Sequence, residues 1–154
     1  LSERFGAGVT VTRQSFGDMR QHVGGLLASF KSKLKTLELA TPDYLLGTSG
    51  TVTTIAGVQL KLKRYDRSQV DGQWLNSQAI GAVTDDLLSM TYEERMQNPC
   101  IGRERADLVM AGCAILEEIR EAFPTERVRV ADRGLREGIL TQMMKDDGVY
   151  GGSR

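Results

Sequence analysis

The stretch Tyr44–Gly57, "YLLGTSGTVTTIAG", decides how this chain is read. Tyr44 to Leu46 read as a short buried strand. They run into Gly47-Thr48-Ser49-Gly50, where glycine supplies conformational freedom and Ser or Thr a helix cap. From Thr51 the apolar residues return at helical spacing, with Val52, Ile55 and Leu60 facing inward. Such a turn puts the first N–H groups of a helix, which lack internal acceptors, beside a backbone that a ligand can approach. Two readings fit. One is an anion site built from Gly47, Thr48, Ser49, Gly50 and Thr51; the other is a plain strand–helix turn capped by Ser or Thr. No Gly-Lys-Ser/Thr follows, so the stretch is not a P-loop. Gly50 follows Ser49 directly, so it is not the Gly-x-Ser-x-Gly elbow of a serine hydrolase either.

Upstream, Ser15 and Asp18 have the spacing of a capping box. Met19, Val23, Leu26, Leu27, Phe30 and Leu34 then recur as one helical face. Gly24 and Gly25 weaken that helix by roughly 1 kcal/mol each relative to alanine and suit a close backbone approach. Downstream, "KRYDRSQVDGQWLN" reads as a polar connection around an Asp71–Gly72 turn. Asn76 or Ser77 caps the next helix, and Thr91 with Glu94 boxes a short one that stops before Pro99. "GRERADLVMAGCAILEEIREAF" predicts the clearest helix, with Ala106, Val109, Met110, Cys113, Leu116 and Ile119 on one stripe. "ERVRVAD" alternates as a strand, and a last helix follows in "RGLREGILTQMM". Strands separated by helices predict parallel pairing in an α/β layer. Two strands, or three if "GVTV" (Gly8 to Val11) is one, are few for a sheet.

The 154 residues suit one domain, and 40% are hydrophobic. No apolar run approaches the ~18–20 residues that span a bilayer, so a membrane partner is not expected. Positive and negative residues balance at 20 each, which argues against DNA binding through general basicity. Cys100 and Cys113 stand apart with no histidine near, so no zinc spacing exists; they read as reduced thiols of a cytoplasmic protein. His22, the one histidine, falls inside a helical pattern. The chain opens at Leu1 with "LSERFGAG", which reads as a strand end entering a loop, so a fragment is expected. "DDGVYGGSR" reads as a frayed C-terminus.

Two further segments are site candidates. In "IGRERADLVMAG", Arg103 and Arg105 fall at a predicted helix start, where the dipole disfavours cations. Either an anion holds them there or they are simply solvated. In "VADRGLREG", Asp132 sits at a strand's C-terminal end, where α/β folds gather ligands. The alternative is a helix cap beside an Arg136–Glu137 surface patch. The adjacent carboxylates Asp85-Asp86, Glu117-Glu118 and Asp146-Asp147 diverge around their helices and predict no metal site.

Together "YLLGTSGTVTTIAG", "PCIGRERADLVMAGCAILEEI" and "VRVADRGLREGIL", in that order and spacing, resemble the C-terminal half of the Ppx/GppA phosphatase family. "LSERF" resembles the segment after the third strand of that family's second domain. The resemblance implies an α/β fold: a partial ribonuclease-H-like lobe of the actin-like ATPase clan, with few parallel strands and several helices. Residues 1–154 are then the C-terminal part of the second domain, without its opening strands or the N-terminal domain. It also implies Mg²⁺-dependent release of terminal phosphate from polyphosphate, or of the 5′ γ-phosphate from pppGpp. Gly47, Thr48, Ser49, Gly50 and Thr51 match a loop bordering the phosphate cleft, with Arg103 and Arg133 as further ligand contacts. The family's two phosphate loops and its catalytic glutamate have no counterpart here. The chain alone is therefore expected to be inactive, to bind no Mg²⁺ through its own residues and to need the missing N-terminal domain. Pairing of exposed sheet edges in a homodimer is a further expectation. The alternative is a stand-alone phosphate- or nucleotide-binding module without catalysis.

Overall fold

A computed structural model describes residues 1–6, 8–37 and 42–149. Part of the stretch read as a frayed terminus, 150–154, lies outside them. The order is α1 (Arg13–Thr36), β1 (Leu45–Gly47), α2 (Gly50–Gln59), α3 (Arg67–Val70), β2 (Trp74–Asn76), α4 (Ser77–Ser89), α5 (Tyr92–Gln97), α6 (Val109–Ala122), β3 (Arg127–Val130) and α7 (Leu135–Asp146).

The three strands form one sheet in the order β1-β3-β2. β1 runs parallel to β3, as the intervening helices predict. β2 runs antiparallel to β3, which corrects the expectation of parallel strands alone. It lies inside the segment read as a polar connection. Three residues with one buried side chain, Leu75, give too short an alternation to stand out in sequence. "GVTV" is not a strand. Gly6 and Gly8 turn the chain at φ 91° and 73°. The carbonyls of Gly8 and Val9 accept from the buried Arg95 guanidinium, at 2.9 and 3.0 Å, and so leave no ladder to build.

Leu45, Leu75, Val128 and Val130 face one side of the sheet. With Val52, Ile55, Ile80, Val83, Leu87, Met110 and Cys113 they make the core between the sheet and α2, α4 and α6. Tyr44 and Leu46, read as buried, are instead 46% and 61% exposed on the opposite side. Thr12, not Ser15, caps α1; Ser15 closes the capping box from within. Phe16, Met19 and Val23 are buried, but Leu26 and Phe30 are not. α1 outruns its neighbour: 24 residues make about 36 Å of helix against about 21 Å for the 14 of α6. Phe30 meets Phe123 edge-on just past the end of α6. Gly24 packs against Glu118, whereas Gly25 faces open space.

The two sequence-read caps of the middle helices hold. Asn76 accepts from Ala79 N–H at 2.7 Å, and Thr91 and Glu94 form a reciprocal box. α6 begins at Val109, later than the pattern predicts. Residues 103–108 are turns whose Ala106 is buried without being helical. Leu60 is the C-cap of α2 and is 40% exposed rather than inward.

Candidate functional site

Three segments that are far apart in sequence meet at one cleft of 420 Å³. Gly50 and Thr53 come from the start of α2. Arg105 comes from the turns before α6, and Asp132 from the end of β3. Tyr65, from the connection after α2, closes one side; Pro99, Cys100 and Ile101 close another.

The turn into α2 forms as its composition dictates. Ser49 is the N-cap, and its hydroxyl accepts from Val52 N–H. Thr53 donates to the Gly50 carbonyl at 3.0 Å. The Arg105 guanidinium rests on Gly50: a Cβ there would lie 2.9 Å from an Arg105 nitrogen. Arg105 has no carboxylate partner among the described residues. It stands over the N-terminus of a ten-residue helix, whose dipole repels a cation. Arg105 is exposed there and donates to the Gly50 carbonyl at 3.5 Å.

Asp132 faces the cleft through a network. Tyr65 donates its hydroxyl to Asp132 Oδ2 at 2.8 Å. Arg67 donates to the Asp132 carbonyl and reaches Glu137. Burial first, and the Asp132 hydrogen bond second, push the Tyr65 phenol above its ordinary value. Behind the network, Asp71 accepts from Asp132 N–H at 2.9 Å and from Arg133 Nε at 3.0 Å. The Asp132 N–H chiefly, and Arg133 after it, hold the Asp71 carboxyl below the usual range.

The sequence-read residues therefore separate. Gly50 lines the cleft. Gly47, Thr48, Ser49 and Thr51 line a different groove of 290 Å³, largely apolar, between β1 and α6. There Thr51 presses on Gly112, where a Cβ would stand 2.0 Å from Thr51 Oγ1. Arg103 is exposed and does not line the cleft. Arg133 lies against Asp71 and holds the turn after β3. Arg136 comes within 3.8 Å of Glu137, as the surface-patch reading had it. Tyr65 and Arg67 went unread because a tyrosine and an arginine in a basic run carry no spacing signal, and Thr53 because it lies beyond the Gly47–Thr51 turn read as the site. Asp71 was visible only as a turn residue.

Among the described residues no three His, Cys, Asp or Glu side chains are grouped as metal ligands. Asp132 is the one carboxylate lining the cleft, and Tyr65 and Arg67 already engage it. Mg²⁺ demands near-octahedral oxygen coordination, so these residues do not fit it. The paired carboxylates also disperse: Asp85 pairs with Arg13, Glu117 with Arg120 and Glu118 with Arg20. Both cysteines are free and buried. No described helix is long and apolar enough to cross a membrane.

The family model of the Ppx/GppA phosphatase family matches residues 1–147. The chain belongs to this family. Exopolyphosphatase 2 of Mycobacterium tuberculosis is 23% identical over 114 residues, 71% of this chain and 36% of its own length. The crystal structure of the Aquifex aeolicus Ppx/GppA family member is 26% identical, with a TM-score of 0.76 over 88% of this chain and 42% of that one. An exopolyphosphatase from Cytophaga hutchinsonii shares the fold at 22% identity and a TM-score of 0.76, over 98% of this chain and 47% of its own. The mixed α/β lobe is thus that of the Ppx/GppA structures, which have the actin-like ATPase fold. The chain spans less than half the length of each of these relatives.

Proposed function

We propose that this chain forms one wall of the phosphate cleft in a phosphoanhydride hydrolase of the Ppx/GppA type, acting on the terminal phosphate of polyphosphate or the 5′-phosphate of pppGpp. The observation that carries this reading is the convergence of Gly50, Thr53, Arg105 and Asp132, from three segments, on one cleft with an uncompensated cation at a helix mouth. In that cleft the N–H groups of α2 and the Arg105 guanidinium bind phosphate oxygens, and Thr53 lies beside them. Gly47, Thr48, Ser49 and Thr51 shape the turn that aims those N–H groups. Arg103 extends positive charge outward, and Arg133 fixes the Asp132 turn.

The residues that activate water lie outside this chain in this reading. The one carboxylate at the cleft is engaged by Tyr65 and Arg67, so no base is free to take a proton. Residues 1–154 are read as the C-terminal part of a second ribonuclease-H-like domain, completed by an N-terminal domain that supplies the catalytic carboxylate and the oxygen ligands of Mg²⁺. The protein is read as cytoplasmic, a reading that two free, buried thiols support. The engaged Asp132 also favours a second reading, a phosphate-binding module without turnover.

Two measurements test the proposal. Titration calorimetry with tripolyphosphate should show binding to the chain, weakened at least tenfold by Arg105→Ala and little changed by Arg103→Ala. Equal binding by the Arg105 variant would remove the cleft from the proposal. Phosphate release from long-chain polyphosphate with Mg²⁺ should occur only when the upstream half of the polypeptide is present. Release by residues 1–154 alone would overturn the assignment of the base to the missing part, and no release by the longer form would favour the module.

A further inference from the structure

Arg105 reaches the cleft from a stretch that no helix or strand holds, since residues 103–108 are turns. Its side chain is exposed and makes one hydrogen bond, to the Gly50 carbonyl at 3.5 Å. A long side chain with a single weak contact does not fix itself. The place of the guanidinium is therefore set by the Arg105 main chain.

That main chain is fastened on both sides. Gly102 N–H donates to the Asn98 carbonyl at 3.0 Å, and the Arg105 carbonyl accepts from Leu108 and Val109 N–H at 3.0 and 2.9 Å. A further fastening comes from the other end of the sequence. Gly8 is buried with its bare Cα against Asp107, where a Cβ would stand 1.7 Å from the Asp107 carbonyl oxygen and 2.7 Å from its Cα. Ser2 Oγ donates to the same carbonyl at 3.2 Å.

The Gly8 segment is itself clamped from behind. Arg95 donates through Nη2 to the Gly8 and Val9 carbonyls, and through Nη1 to the Met90 carbonyl at the end of α4. Leu1 and Phe5 pack on the core beside it. Gly8 is thus pinned between a buried cation and the Asp107 main chain, and neither side has room to give. None of the described residues 1–12 lines the cleft, so whatever this segment does there it does through Asp107 and Arg105.

We propose that Gly8 is a positioning residue for anion binding: seated against Asp107, it sets the turns from which Arg105 reaches the mouth of α2. The proposal rests on the reading of the cleft as a phosphate site. A shift of about 1 Å in a group that must meet a phosphate oxygen is enough to lose most of its effect.

Gly6 supplies the control. Gly6 and Gly8 have φ of 91° and 73°, so alanine strains the backbone at both. A Cβ on Gly6, however, meets only the Thr10 carbonyl oxygen, at an ordinary 3.7 Å. Calorimetry with tripolyphosphate should show Gly8→Ala binding roughly fivefold more weakly than the parent chain, and Gly6→Ala binding as the parent does, both under conditions where urea melts show them folded. With Arg105→Ala already in place, Gly8→Ala should cause no further loss. Ser2→Ala removes one hydrogen bond from the Asp107 carbonyl and should weaken binding about threefold with the fold intact, again only while Arg105 is present. It decides the matter if alanine at position 8 prevents folding. Parent-like binding by Gly8→Ala, or by Ser2→Ala in that event, together with weak binding by Arg105→Ala, would overturn the proposal and leave the cleft standing. So would an equal loss in Gly6→Ala, or a loss of the same size with and without Arg105, since either marks general destabilisation. Parent-like binding by Arg105→Ala would instead bring down the phosphate reading, and this proposal with it.

Discussion

Gly112 shows at the scale of one residue how α2 is set against α6. A Cβ at this position would meet Thr51 Oγ1 at 2.0 Å and the Thr51 Cβ at 3.0 Å. Gly112→Ala should therefore destabilise the fold by about 1–3 kcal/mol through overpacking. Thr51→Ala in the same chain should recover part of the loss, because the clashing hydroxyl is gone. Urea midpoints of the two single variants and the double variant give the coupling; simple additivity would mean that α2 does not rest on Gly112. Arg95 makes the opposite case, a buried cation on carbonyls alone. It is 1% exposed and donates to Met90, Gly8 and Val9. Burial lowers its pKa from the usual arginine value. Arg95→Leu should cost about 3 kcal/mol or more, because several buried carbonyls lose their donor at once. Neither role was legible in the sequence. A glycine inside a helix pattern and an arginine in "YEERMQ" are read as weak spots and solvated faces, and only tertiary contact distinguishes them.

Elements were legible where the signal is local. The Thr91–Glu94 box and the Asn76 cap depend on residues three apart, and both stand. β1, β3 and α7 were found within a few residues of their bounds. β2 was missed because a three-residue strand is stabilised by its neighbour β3, not by its own pattern. The turn from β3 to α7 is also held from outside, by Asp71 and Arg67, and it gives a pH prediction. Asp71 and Glu137 both have lowered pKa values, Asp71 chiefly from the Asp132 N–H and Glu137 chiefly from the Gly134 N–H. A lowered carboxyl stabilises the fold fully above its unfolded value and loses that contribution as pH falls through the folded one. The stabilisation should thus be complete above about pH 5, begin to shrink near about pH 4 where the unfolded carboxyls titrate, and be lost only as pH falls through the lowered folded values. Urea midpoints at pH 7 and pH 3 should lie closer together in Asp71→Asn than in the parent chain. An unchanged gap would mean that Asp71 does not anchor the turn.

Over the whole molecule, the core and α7 stand at opposite ends of stability. β3 has Val128 and Val130 buried, and α6 has six buried residues, so these elements should open only with global unfolding. α7 has none, and a 12-residue helix without packing is marginal in water. Hydrogen exchange should therefore find residues 135–146 nearly unprotected in dilute protein, while 109–116 and 127–130 exchange slowest. The candidate cleft spans both regimes. Gly50 and Thr53 lie on a helix with six consecutive buried residues, whereas Asp132 sits three residues before α7. Sequence order showed these segments as candidates, but their meeting depends on β1 and β3 pairing in parallel, which places the ends of both strands on one side. Anything that seats α7 should then steady the Asp132 side of the cleft. Adding the upstream half of the polypeptide should slow exchange in residues 135–146 and, through the Gly134–Glu137 and Arg67 contacts, at 131–134, with no change in α6. Protection of α7 that left 131–134 unaffected would show that the helix is covered without tightening the turn, and the cleft would then be independent of α7.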